Sequence, residues 1–123
     1  MNQVMLFLGS GIIALWGIAH LANTKGVLNS FGAISPDTRR VVAMEWIMEG
    51  LTLNFIAGLV IIVTIVAATQ GSASLIVYRL SAGMLIVMAV VSLFTGARVS
   101  FWAYKLCPVI FGSAALLFLF GSM

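Results

Sequence analysis

Apolar residues fall in four long runs along this 123-residue chain, at 4–22, 41–69, 75–97 and 106–123, separated by stretches in which polar residues gather. A helix needs ~20 predominantly apolar residues to cross a hydrocarbon core of ~30 Å, and each run meets or approaches that length. The pattern predicts an all-α protein, an integral membrane four-helix bundle forming a single transmembrane domain across 1–123. The spans use most of the chain. No separate soluble catalytic domain fits, and any chemistry must be done within the bundle.

Inside the runs, small and polar residues keep helical spacing. In the first span Gly9, Ile13, Trp16 and His20 share one face, with His20 at its end. In the connection 23–38, Val27, Leu28, Phe31 and Ile34 recur at helix-like intervals, which predicts a short segment lying on the membrane surface. Ser35-Pro36-Asp37 reads as a helix start: Ser as N-cap, Pro at a position that needs no N–H, and Asp where the helix dipole favours an anion. A helix from Pro36 to Thr69 is about 50 Å long at ~1.5 Å per residue, longer than the core, so its first turns protrude or tilt. Counting ~20 residues back from Thr69 sets Glu49 just inside the hydrocarbon boundary and Glu45 among the headgroups.

That second helix carries two stripes. Glu45, Glu49, Thr52 and Ile56 occupy one side, and Trp46, Gly50, Asn54 and Gly58 descend the other as a small-residue ladder that lets helices approach, with Asn54 able to hydrogen-bond across. A turn is expected at 70–74. Tyr78, Ala82, Leu85, Ala89, Ser92 and Gly96 line one face of the third span, and the stretch 112–115 gives the fourth a close-contact patch. Between them, 98–105 reads as a short turn carrying Trp102 and Tyr104, with Pro108 near the start of the last helix.

Composition agrees with the pattern: 63% hydrophobic and 7% charged residues leave too little charge for a water-facing surface. The net charge of +3 matters less than its distribution. Lys25, Arg39, Arg40, Arg98 and Lys105 flank the loops 23–40 and 98–105, whereas Arg79 alone lies toward the other side. The positive-inside rule places those loops in the cytoplasm and both termini outside. The first run lacks a basic n-region and a small-x-small cleavage site, and is read as a mature span. Basic residues that flank spans instead of forming a patch exclude nucleic acid as a partner, leaving membrane lipids. A single cysteine excludes an internal disulfide or a dithiol centre, and Cys107, just before Pro108, reads as a free interfacial thiol.

Glu45 and Glu49 lie one turn apart in a span that is otherwise uncharged from 41 to 68, and a carboxylate near hydrocarbon needs a partner, a proton or a function. If the two basic loops share a side, then His20, Glu45, Glu49, Arg98 and Lys105 meet at one end of the bundle, with Trp16, Trp46, Trp102 and Tyr104 at similar depth. The expectation is a polar cleft for a lipophilic or amphipathic small molecule. Glu49, Glu45 and His20 are its acid–base candidates, and Trp16, Trp46, Asn54, Arg98 and Trp102 its binding candidates. In that reading Glu49 takes a proton or pairs with a cationic head, and His20 tunes it. Against each stands a plainer role: tryptophans as interfacial belt, Arg98 and Lys105 as topology signals, and both glutamates in salt bridges to Arg39, Arg40 or Arg98. One histidine with Glu-x-x-x-Glu is too small a set for a di-metal site, and bis-histidine haem lacks its second ligand, so neither a metal nor a cofactor is assigned. An acid–base isomerase or oxidoreductase-associated enzyme acting on a lipid-like substrate, a proton-coupled transporter or ion path, and a structural subunit of a membrane complex stay open, as does a homo-oligomer.

Two stretches carry a resemblance. LWGIAHLANTKGVLNSFGAIS at 15–35 and AMEWIMEGLTLNFIAGLVI at 43–61 resemble the DoxX-like small membrane proteins, whose layout matches along the whole chain. The resemblance implies a bacterial inner-membrane four-helix bundle of a kind associated with redox or thiol-stress systems, and it supplies no reaction. Where that family often ends its first span Gly-x-x-Lys, this chain has Gly17-Ile18-Ala19-His20.

Overall fold

A computed structural model describes residues 1–67 and 71–123. The elements are α1 (Gln3–Ala22), α2 (Thr24–Ser30), α3 (Pro36–Val66), α4 (Ser72–Phe94), a single 3-10 turn (Gly96–Arg98) and α5 (Trp102–Gly121). The fold is all-α, and α1, α3, α4 and α5 are each long and apolar enough to cross a membrane. The short α2 lies in the first connection as expected and buries Val27 and Leu28, but it ends at Ser30, so Phe31 and Ile34 fall beyond it and Phe31 is exposed.

Local chemistry sets the ends. Asn2 caps α1, its side-chain oxygen accepting from the Val4 and Met5 amides at 3.1 and 3.3 Å. Ser35 caps α3 as its sequence implies, accepting from Thr38 N–H at 3.1 Å, with Pro36 and Asp37 in the first turn. Gly32, at φ 67°, makes the left-handed turn between α2 and α3 that an L side chain would resist. Three boundaries differ from expectation. α3 ends at Val66, and Thr69 and the first residue of the expected 70–74 turn lie outside the described residues. α4 starts at Ser72, inside that turn, and stops at Phe94, where Thr95 leaves helical geometry. α5 starts four residues before 106, because Trp102, Tyr104 and Lys105 form its first turn. Their polar tips lower the hydropathy without opposing a helix. Pro108 is therefore well inside α5, where it denies the Tyr104 carbonyl its usual donor.

α1 packs most extensively on α3 and also on α5, and α4 packs on α5, whereas the α3–α4 seam is thin. The closest approach of α1 and α3 is at Gly17 and Gly50. A Cβ at Gly17 would stand 3.0 Å from the Gly50 carbonyl oxygen and against the Asn54 amide, and a Cβ at Gly50 would stand 3.2 Å from the Gly17 carbonyl oxygen. Gly9 makes the matching approach to α5 under the Phe118 ring. Leu6, Ile13, Leu53, Val60, Tyr78, Leu85, Phe111 and Phe118 form a closed core. The outward faces are equally apolar, with Leu15, Phe55, Ile65, Leu80 and Val109 exposed, which is the surface of helices that meet hydrocarbon on their outside as well as protein within. Hydroxyls satisfy themselves locally both inside the bundle and on its outward faces, as buried Ser10 and exposed Thr52 and Thr95 donate to the carbonyls of Leu6, Met48 and Val91 at 2.7–2.8 Å.

The thin α3–α4 seam is pinned at one end. Thr64 Oγ1 shares its proton between the Val60 carbonyl at 2.7 Å and the fully buried Tyr78 hydroxyl at 3.2 Å. This is the one polar tie between α3 and α4 among the described residues. Tyr78→Phe is expected to cost about 1 kcal/mol, since it leaves Thr64 bonded within its own helix. Thermal unfolding in detergent checks it, and an unchanged midpoint would show that packing alone closes that end.

Candidate functional site

The Gly17–Gly50 crossing determines what meets one turn further on. Three residues past Gly17 comes His20; one and four residues before Gly50 come Glu49 and Trp46. With the two backbones in contact, these side chains have nowhere to go but onto one another. The His20 imidazole stacks flat on the Trp46 indole, with centroids 3.7 Å apart and planes 13° from parallel. The indole N–H donates to the His20 carbonyl oxygen at 2.7 Å, satisfying one of the α1 C-terminal carbonyls that the helix leaves unpaired. Glu49 Oε2 lies 3.2 Å from His20 Nε2. The carboxylate sits off the line that a hydrogen bond at Nε2 would need, so the two groups make a close polar contact and no directed hydrogen bond. Tyr104 of α5 completes the cluster, presenting its ring edge-on to Trp46 at 5.8 Å.

His20 is 5% exposed, while the Glu49 side chain is 35% exposed. The histidine is the back wall and the carboxylate the front. Glu49 fronts a cavity of about 420 Å³ between α3 and α4, whose apolar floor includes Met84, Met88 and Val91 and whose far wall holds Tyr104 and Cys107. Next to it a shallower cleft of about 480 Å³ is bordered by Glu45, Glu49 and Thr52 of α3 and again by Met84 and Met88 of α4. Behind His20 a smaller cavity of about 200 Å³ lies between α1, α2 and α5, with Trp16, Trp46 and Trp102 in its wall. The Trp16 indole N–H is buried there beside the Cys107 thiol without closing a hydrogen bond.

The structure brings His20, Glu49, Glu45, Trp46, Trp16 and Trp102 to the walls of these neighbouring spaces. Asn54 is elsewhere. It lies in the α1–α3 seam against Gly17, and its amide donates to the Gly50 carbonyl of its own helix at 2.8 Å instead of bridging to α1. Gly58, the last rung of the expected ladder, faces open space: a methyl group added there would touch nothing within 4 Å, so the close approach ends at Gly50. Arg98 is exposed on the 3-10 turn, its guanidinium 5.5 Å above the Phe94 ring and away from both glutamates. The anticipated salt bridges do not form. Arg39 donates to the Leu28 carbonyl and to Asn29 Oδ1 at 3.4 and 2.9 Å, Arg40 pairs with Asp37 at 3.4 Å, and among the described residues no Lys or Arg pairs with Glu45 or Glu49. The reason is direction: Arg39 is spent on tying α2 to α3.

Sequence reasoning named Trp102 and Tyr104 of α5, but it passed over Met84 and Met88 of α4 and gave Cys107 no place in the site. Cys107 is buried instead of interfacial, and it shares a helix face with Tyr104 three residues earlier, a spacing visible in the sequence. Met84 and Met88 are one turn apart on α4, but an apolar pair in an apolar span carries no signal of which side faces a cavity. Three or more His, Cys, Asp or Glu side chains gathered as a metal site would require are not found among the described residues. Comparison of the chain with protein-family models, with curated proteins and with solved structures returns no match in any of the three.

Proposed function

We propose that this is an integral membrane protein that binds a small lipophilic or amphipathic molecule between α3 and α4, with its polar end at Glu49. We further propose the orientation that puts the basic loops in the cytoplasm and both termini outside, in a bacterial inner membrane, as the charge bias and the DoxX-like resemblance imply. One observation carries the reading: a carboxylate backed by a buried histidine stands at the head of an apolar cavity, and among the described residues no Lys or Arg pairs with it. A bilayer makes such a group expensive, and a ligand's polar end offsets that cost. The thin α3–α4 seam gives a chain a lateral way in from the hydrocarbon.

The close His20–Glu49 contact also suits proton transfer, so acid–base rearrangement of a bound lipid-like molecule is the second reading. Transport is less well supported, since Thr64, Tyr78, Val60 and Leu85 close the opposite end of the bundle. Docking of a partner on the Gly50–Asn54 stripe is opposed by α1, which already covers it.

All three tryptophans border the cavities, so their fluorescence reports on occupancy. Titrating the protein in nanodiscs with dodecanol is expected to give a saturable change, weakened at least about tenfold when Met84→Phe and Met88→Phe together fill the floor. A response that grows without saturating, identical in both proteins, would mean partition into lipid only and would remove the proposed cleft.

A further inference from the structure

The charge pattern around the cavities is one-sided. Of the three acidic residues in the chain, Glu45 and Glu49 border the α3–α4 opening, while none of the six Lys and Arg residues lines this opening or the neighbouring cavities described above. A protein of net charge +3 thus presents negative charge where its apolar cavity meets the bilayer. Behind Glu49, His20 is nine-tenths buried and its Nε2 makes no directed hydrogen bond, so the carboxylate is held from the back without being satisfied. In front, Trp46 and Tyr104 supply aromatic surface, and Met84, Met88 and Val91 an apolar slot. Calcium or magnesium would ask for about six or more oxygen ligands, which two glutamates do not provide, and no three His, Cys, Asp or Glu side chains gather for a transition metal among the described residues. A group that is cationic, carries N–H donors for a carboxylate, tolerates an aromatic wall and brings its own apolar chain fits each of these features.

Building on the cleft proposed above, we infer that its ligand is a single-chain lipophilic amine: a protonated primary or secondary ammonium bound by Glu49, with Glu45 attracting it at the mouth and the alkyl chain lying between α3 and α4. The ammonium donates to the open edge of the Glu49 carboxylate and rests against Trp46 and Tyr104. His20 is a positioning residue behind the carboxylate, and the half-buried Trp46 indole that stacks on it prevents the pair from turning outward.

The test is a headgroup series on one chain, read by tryptophan fluorescence in nanodiscs of zwitterionic lipid: dodecylamine, dodecyltrimethylammonium, dodecanol and dodecanoate. Dodecylamine is expected to bind at least about tenfold more tightly than the other three, and Glu49→Gln to remove that advantage while dodecanol binding stays saturable. The dodecanol arm serves as the folding control for the variant, and a second variant, Glu45→Gln, is expected to slow dodecylamine association more than it weakens binding. If dodecylamine and dodecanol bind equally and saturably, the cleft stands and the ammonium assignment falls. Equal binding of dodecyltrimethylammonium would overturn the hydrogen-bonded ion pair, and tightest binding of dodecanoate would reverse the sign of the site. If no member of the series saturates, the cleft itself is absent.

Discussion

Gly17→Leu is expected to force α1 and α3 apart and to destroy the cluster one turn beyond. A Cβ alone at Gly17 would press on the Asn54 amide and stand 3.0 Å from the Gly50 carbonyl oxygen. Side-chain tips can yield a few tenths of an ångström, but a helix backbone held by its own hydrogen bonds cannot. Overpacking of a close-packed interior costs about 1–3 kcal/mol, and a leucine set against backbone belongs at or beyond the top of that range. Helices in lipid have no hydrophobic drive to hold them together once van der Waals contact is lost, so the cost falls on association directly. Gly58→Leu is the matched control. It lies two turns further along α3 with open space around it, and it is expected to leave the unfolding midpoint in detergent nearly unchanged. Equal loss at both positions would show that the Gly17–Gly50 approach is not what joins the two helices.

The second large effect is expected at Trp46, where stacking, a hydrogen bond and the aromatic wall converge on one side chain. Trp46→Phe keeps a ring but removes the donor to the His20 carbonyl, leaving a helix-end carbonyl without that partner, for a loss of about 1–3 kcal/mol. Trp46→Ala also removes the stack and opens the cavity behind His20, so the imidazole can leave Glu49. The chain has a single histidine, which makes the readout unambiguous. In the parent protein the ring current of an indole stacked at 3.7 Å should move the His20 imidazole proton resonances well upfield of their free positions. The upfield shift is expected to vanish in Trp46→Ala and to shrink in Trp46→Phe. Imidazole resonances at ordinary positions in the parent would mean that the stack does not exist in the membrane, and the candidate site would lose its back wall.

Several parts of this arrangement are legible in the sequence. The capping run Ser35-Pro36-Asp37 starts α3 where it reads, because N-cap and first-turn preferences act through neighbours in the chain. The placement of His20, Glu49, Trp16 and Trp46 at one end follows from alternating span directions, which fix depth without fixing which side chains touch. The start of α5 is not legible from hydropathy, since Trp102, Tyr104 and Lys105 are amphipathic and depress the apolar score while remaining good interfacial helix residues. Nor is the fate of the arginines. Their charges suggest partners for the glutamates, but the reach of Arg39 toward Asn29 is decided by where α2 folds back.

The sequence by itself determined four apolar helices, their approximate ends and the polar character of one end of the bundle, because these depend on local propensity and on the length of chain needed to cross hydrocarbon. Only the tertiary structure decided that α1 and α3 meet backbone to backbone at Gly17 and Gly50, that α3 and α4 are pinned at Thr64 and Tyr78 yet open at Glu49, and that Asn54 and Arg98 stand apart from the cleft. In an apolar solvent every face of a span is hydrophobic, so periodicity marks no inside and outside. Which stripe is buried is chosen by steric fit between particular side chains of different helices, and that fit is not written in any one of them.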